Sequence, residues 1–242
     1  GGIMWFRRDL RLGDNPAWAA ATRDHDETTA LYIIDPRLWE RVSQRRRNLL
    51  GSHLTTLDAA LRNKEGRLRI EIGDPVDILG ELAEGRQVHW NNDATPFSMT
   101  RDAQVESVVG GVGGRVARHD GSYVHGPGRV VKPDGSAYRV FTAYWRAWNR
   151  TMWRMPLEPG PTNVTDFGGE PIPEFVIVGG AGEVAAQRRL DDFMTRVDDY
   201  EVLRDDPAAD ATSRLSADLK FGTISPHRIV AEVGDGTPGR RA

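Results

Sequence analysis

The chain has 242 residues, and 32 Lys and Arg against 35 Asp and Glu leave a net charge of −3. With 39% hydrophobic residues and 7 Trp it can build one large or two ordinary domains, and it is not a disordered tract. The absence of cysteine excludes disulfides, thiolate metal sites and a cysteine nucleophile, and the charge balance argues against a general nucleic-acid binder while leaving room for a local basic surface.

In chain order, residues 3–6 form a short apolar run suited to a buried strand. A charged segment, residues 7–11, leads to Asp14, Asn15 and Pro16, a helix-start signal. Residues 28–35 contain L-Y-I-I-D, a strand stopped by Pro36. Leu50, Leu54, Leu57 and Leu61 mark one helix face. A strand at 68–72 is followed by Gly73-Asp74-Pro75, opening another helix. A fourth strand at 87–91 precedes a helix from Pro96 with Val105, Val108 and Val109 inward, and a fifth covers 115–119. Glycine-rich residues 110–114 follow a helix and precede a strand, the reverse of a phosphate loop, so they read as a turn. Alternating strands and helices predict a Rossmann-like, doubly wound, five-stranded parallel α/β sheet over residues 1–122.

From Gly121 the pattern changes. Turn signals at 126–128 and 133–135 are followed by the aromatic, helix-like 137–148. Residues 156–173 read as an irregular linker within a connector spanning 123–182. Residues 183–242 read as the opening helices of a helical domain, with Leu190, Phe193, Met194 and Val197 on one face, and residues 234–242 read as a loop. These helix faces have no evident partner within the chain, so this part is expected to be the less stable. His25, His53, His89, His119, His125 and His227 lie far apart with no i, i+4 pair, so no metal site is expected. No run is apolar enough to cross a membrane, no signal peptide is visible, and a start at Gly1 reads as a trimmed chain or fragment.

Residues 212–230 read TSRLSADLKFGTISPHRIV. Thr212 and Ser213 open an amphipathic run with Leu215 and Leu219 one turn apart. Hydroxyls at a helix start accept bonds from free backbone N–H groups, and the same end attracts phosphate. Arg214 adds a fixed charge suited to phosphate. By themselves these residues read as an ordinary capped surface helix. The wording T-S-R-L-S, then L-K-F-G-T-I-S-P, however, closely resembles the flavin-binding segment of the DNA photolyase and cryptochrome family. W-F-R-R-D-L-R-L-x-D-N-P at 5–16 resembles the opening of that family's α/β domain.

The resemblance implies that Thr212, Ser213, Arg214, Leu215 and Ser216 wrap the phosphates of FAD. In YEVLRDDPAADATSRLS, 200–216, it implies that Tyr200 packs against FAD and Arg204 faces DNA phosphate. WNNDATPFSMTRD, 90–102, matches the family's N-x-D-x-x-P-x-x-x-x-R-D at the edge that holds an antenna chromophore. Asp93 stands where deazaflavin-type members place a ligand-contacting Asp; read alone it is equally a turn or helix cap. Thr95 departs from the frequent Glu, and Phe97 and Ser98 occupy the places of a folate-type Asn-Glu pair. An 8-hydroxy-5-deazaflavin antenna is therefore expected over methenyltetrahydrofolate. Arg46, within the run Arg45 to Arg47 that otherwise reads as a solvated helix face, is expected to contact it. FTAYWRAW, 141–148, resembles F-T-P-F-W-x-x-W with Ala143 and Tyr144 substituted, and is expected to pack between domains.

The function implied is light-driven splitting of cyclobutane pyrimidine dimers in DNA by an electron from reduced FAD, a carbon–carbon lyase reaction. The alternative is a blue-light photoreceptor of cryptochrome type without repair. Catalytic residues are expected beyond Ala242 in a C-terminally truncated chain, so FAD is expected to be held weakly. Damaged DNA is the expected partner, and the protein is expected to be monomeric, cytoplasmic and without a membrane or metal.

Overall fold

In the computed structural model the described residues are 1–158, 163–165, 168–206 and 208–234. The expected terminal loop from 235 onward, part of the linker, and Pro207 within the 200–216 segment lie outside them.

Strand β1 (Gly2–Phe6) leads to helix α1 (Pro16–Asp24), β2 (Thr28–Ile34), α2 (Pro36–Trp39), α3 (Gln44–Arg62) and β3 (Leu68–Ile72). Then come α4 (Pro75–Leu82), β4 (Gln87–Asn91), α5 (Pro96–Gly111) and β5 (Arg115–His119). Five helices, α1, α2, α4, α5 and α10 (Pro226–Val233), share one starting device. Each begins at a Pro, whose missing N–H is not needed there, preceded by Asn15, Asp35, Asp74, Thr95 or Ser225. The side chain of that preceding residue accepts a backbone N–H of the first turn.

The sheet is wholly parallel, in the order β3-β2-β1-β4-β5. Strand β1 is buried on both faces, and its side chains alternate between two cores. Met4 and Phe6 pack with Trp18, Leu54, Leu57 and Leu61 under α1 and α3. Ile3 and Trp5 pack with Leu79, Trp90, Val105 and Val109 under α4 and α5. Trp5 and Trp90 meet edge to face at 5.6 Å, a geometry that adds about 0.5–1.5 kcal/mol beyond burial. The pairing of β1 with β2 runs its full length, from Gly2↔Thr28 to Phe6↔Tyr32. The pairing with β4 stops at Met4↔His89. The two strands therefore part at their carboxyl ends, where the winding direction reverses.

The connector is less idle than its composition suggests. Val164 forms a parallel bridge with Thr28 and is buried in the α1/α3 core. Glu170 N–H donates to the Ile70 carbonyl on the outer edge of β3. Helix α6 (Phe141–Arg150) corrects one expectation: it buries no residue, and Phe141 is 76% exposed. Its aromatic face is only partly covered among the described residues: His125 lies edge to face on Trp148 at 5.0 Å and Tyr138 on Tyr144 at 6.3 Å.

The C-terminal unit corrects another. Helices α7 (Glu183–Met194), α8 (Tyr200–Leu203), α9 (Ser216–Phe221) and α10 do find partners within the chain. Ala186, Leu190, Phe193, Val197, Leu215 and Ile224 form a third buried core. Arg189 on α7 holds the buried Asp218 of α9 through two bonds, Nε at 2.8 Å and Nη2 at 2.6 Å. This unit is clasped to the α/β unit. The Glu183 carboxylate accepts Leu12 N–H and Gly13 N–H, both at 2.9 Å. The buried Asp14 carboxylate accepts from Arg154, Ser225 and Leu157 N–H. Burial alone would raise the Asp14 pKa, but those bonds outweigh it and hold the carboxyl below its usual range.

Sequence distance also misled for the histidines. His89 on β4 lies between His25 and His119, with ring nitrogens 3.1 and 3.2 Å apart. A parallel register brings them together from positions 64 and 30 apart. No group of three or more His, Asp or Glu among the described residues has the arrangement of a metal site.

Candidate functional site

The parting of β1 and β4 opens a cleft of about 520 Å³ at the carboxyl ends of the strands, where doubly wound sheets bind ligands. Its floor is Trp5 and Phe6 at the end of β1 and Ile33 and Ile34 at the end of β2. Trp39, Phe97 and Phe221 supply aromatic walls. The cleft is rigid on the β4 side. Arg7 donates to Asp102 at 2.5 Å and to the Asn91 carbonyl, and its guanidinium lies 4.9 Å from the Trp5 ring. Arg101 holds the same Asp102 and sits 4.8 Å from Trp5 and 5.7 Å from Phe97. Such cation–π contacts fix planar charges against the rings.

Both residues expected at an antenna line this cleft. Arg46 reaches it from the first turn of α3, and Asp93 from the turn after β4. Asp93 also behaves as a turn residue, accepting from Thr95 N–H at 3.2 Å and Ser98 Oγ at 3.0 Å, with Arg8 at 3.5 Å. Burial would raise its pKa, but those bonds and the Arg8 and Arg7 charges hold it below the carboxylate range. The two readings of Asp93 thus describe one carboxylate: fixed by its turn and facing the cleft. Sequence reasoning missed Arg41, Lys220 and Phe221, which line the same cleft. No local signal marks them, because two come from a helix nearly 130 residues beyond Asp93.

The 212–216 segment is not a helix start of the expected kind. Helix α9 begins at Ser216, after Leu215, and no side chain caps it. Thr212 is exposed, Ser213 half-buried, and Arg214 takes a left-handed φ of 53°. A non-glycine residue there costs on the order of 1–3 kcal/mol, a strain found at ligand clamps. Arg214 pairs with Asp210 at 2.8 Å on the surface. The Leu215 side chain is buried in the third core, so only its backbone can face a ligand. Tyr200 lies edge to face on Phe193 at 5.5 Å, and the exposed Arg204 sits 5.9 Å from the Tyr200 ring. These residues belong to the C-terminal unit, and Ser216 starts the same six-residue helix, α9, that carries the cleft-lining Lys220 and Phe221 at its other end.

A parallel doubly wound sheet with an aromatic, basic cleft at its switch point defines a ligand-binding α/β protein of the nucleotide- and flavin-binding kind. The comparisons narrow that class. Residues 2–163 match the family model for DNA photolyase, and the chain belongs to the DNA photolyase family. It is 34% identical over 257 residues to the deoxyribodipyrimidine photo-lyase of Escherichia coli, covering 95% of this chain and 54% of that protein. A class III photolyase from Agrobacterium tumefaciens superposes with a TM-score of 0.86 at 29% identity, over 96% of this chain and 52% of that one. An archaeal photolyase from Sulfolobus tokodaii, solved with two FAD molecules, matches with a TM-score of 0.80 at 25% identity, over 95% and 54%. The chain spans about half the length of the photolyases it matches.

Proposed function

We propose that this chain serves light-dependent repair of pyrimidine dimers in DNA, holding an antenna chromophore in the switch-point cleft and the phosphate end of FAD at Thr212, Ser213, Arg214 and Ser216. The observation that carries this reading is the convergence of Asp93 and Arg46 on one aromatic cleft of about 520 Å³. The flavin segment fits the group on its own evidence. The Thr212 and Ser213 hydroxyls make no hydrogen bond among the described residues, beside a strained Arg214. When bound, reduced FAD supplies the electron that opens the dimer. This chain's own residues do other work. Thr212 and Ser213 donate to phosphate oxygens, Arg214 neutralises them, and Tyr200 lies beside the bound group. Arg204 meets DNA phosphate, and Asp93 and Arg46 orient the antenna, with an 8-hydroxy-5-deazaflavin favoured over methenyltetrahydrofolate. The protein works as a cytoplasmic monomer in this reading. Repair is tested by blue-light-dependent loss of cyclobutane dimers from an oligonucleotide, in extracts of cells expressing the whole reading frame that contains this sequence. Loss no greater than in the dark sinks the proposal.

A narrower test addresses the flavin segment. Each hydrogen bond to a charged group contributes roughly 1.5–3 kcal/mol, so in the product of the whole reading frame that contains this sequence Thr212→Ala with Ser213→Ala is expected to weaken FAD binding about a hundredfold or more. Because neither hydroxyl caps α9, the melting temperature is expected to stay unchanged. Calorimetric titration with FAD alongside a thermal melt checks both; unchanged affinity, or a fall matched by lost stability, removes the assignment.

A further inference from the structure

Helix α9 cannot set its own orientation. Its six residues make fewer than two turns, too few to hold a helix without packing. The residue it buries is not apolar. It is a carboxylate, Asp218, whose side chain is 1% exposed. The Arg189 guanidinium on α7 grips both of its oxygens, Nε on Oδ2 at 2.8 Å and Nη2 on Oδ1 at 2.6 Å. Thr223 Oγ1 donates to Oδ1 at 3.0 Å. An apolar side chain at this place would be buried as well, but it could settle at several angles; a two-point fork on a carboxylate admits one. Buried ion pairs add little net stability, and their best-attested use is to fix register.

The fixed rotation bears on the flavin segment. Residues two apart on a helix stand about 200° apart around its axis, so pinning Asp218 inward turns Ser216 outward, where it is exposed. The same pin steadies the chain before the helix. Arg214 is left-handed, and such a conformation persists only where its surroundings hold it. Leu215 in the third core and Asp218 under Arg189 are the buried points that hold it from the downstream side.

We propose that Arg189 is a positioning residue for the flavin segment: by gripping Asp218 it fixes the rotation of α9, and with it the direction in which Thr212, Ser213 and Ser216 face the FAD phosphates. The inference rests on reading residues 212–216 as the phosphate-holding segment and adds what aims it. Arg189 stands on a different helix and acts only through Asp218.

The experiment measures FAD affinity by calorimetric titration for four forms of the product of the whole reading frame that contains this sequence. They are the unaltered protein, Arg189→Met, Thr212→Ala with Ser213→Ala and Ser216→Ala, and all four substitutions together. Arg189→Met strands the buried Asp218 charge, so it is expected to weaken FAD binding at least about tenfold in the unaltered background. Once the three hydroxyls are gone there is little left to aim, and the same change is expected to cost about twofold or less. A general loosening of the fold would cost the same factor in both backgrounds. Melts of the apoproteins confirm folding. If Arg189→Met does not fold, the comparison is made with Arg189→Lys, which keeps the charge and gives up the fork, with a loss of about threefold expected in the first background and none in the second. Equal losses in the two backgrounds, or no loss in the first, overturn the role of Arg189 while leaving the phosphate segment standing. Unchanged FAD affinity after removal of the three hydroxyls overturns the segment reading and the inference with it.

Discussion

Lowering the pH from 7.5 to 5.5 is expected to weaken the fold by about 4 kcal/mol, because three imidazoles are buried in neutral form. His53, His89 and His227 are 1%, 0% and 2% exposed. Burial pushes each down to about 4; like charges assist, from Arg189 at His53, from His119 and His25 at His89, and from Arg154 at His227. The folded pKa lies below the unfolded value near 6.5, so between the two the unfolded chain binds more protons. Stability is therefore complete above about pH 6.5 and is lost as the pH falls toward 4. Each histidine contributes about 1.4 kcal/mol per pH unit within that window, and the interval crosses about one unit of it for each. Urea unfolding at both pH values measures the difference. A loss below about 1 kcal/mol would show that these histidines are solvated or paired in ways the fold does not display.

Gly222→Ala is expected to be the most damaging small substitution, at about 3 kcal/mol or more. Gly222 ends α9 with φ 68°, where glycine is at ease and alanine is not. An added Cβ would lie 1.9 Å from the Arg8 carbonyl oxygen and 2.6 Å from Asp9 Cα, both backbone atoms that cannot swing aside. Relief requires moving α9 away from the loop after β1. That breaks the Leu10 N–H to Phe221 carbonyl bond and the bond from buried Arg11 Nη1 to the Gly222 carbonyl. Gly85→Ala separates the two contributions. Gly85 has φ 64° but nothing within 4 Å of the added Cβ, so it should cost only backbone strain, about 1 kcal/mol. Thermal melts of both variants test this. Similar losses would mean that the close approach of α9 to β1 does not constrain the protein.

The α/β half was legible because its signals are local. All five strands are short runs, β2, β3 and β5 closed directly by Asp35-Pro36, Gly73 and Asp120, and four helices of this half begin with a capping residue before Pro. The α9 start was misplaced for a local reason too. Thr212-Ser213 has the wording of a cap, but the chain turns left-handed at Arg214 and defers the helix to Ser216. The cleft was half legible: Asp93 and Arg46 stand in a recognisable pattern, while Lys220 and Phe221 arrive only because α9 docks on the β1 loop. Cross-chain gatherings left no pattern at all. The His25, His89 and His119 row and the clasp of Glu183 on Leu12 and Gly13 depend on register and docking, which sequence spacing does not encode.

The contacts of Val164 with Thr28 and of Glu170 with Ile70 change what counts as the smallest self-sufficient piece of this protein. Val164 continues the sheet beside the start of β2, ahead of β3, and Glu170 takes up part of the outer rim of β3, which would otherwise offer unpaired N–H and C=O groups to any passing strand. A chain cut at residue 122 would keep every strand and covering helix yet bare that rim, inviting sheet-to-sheet stacking between copies. The connector thus acts as a selvedge: it finishes the sheet's border, and a chain trimmed of it is expected to fray into aggregates.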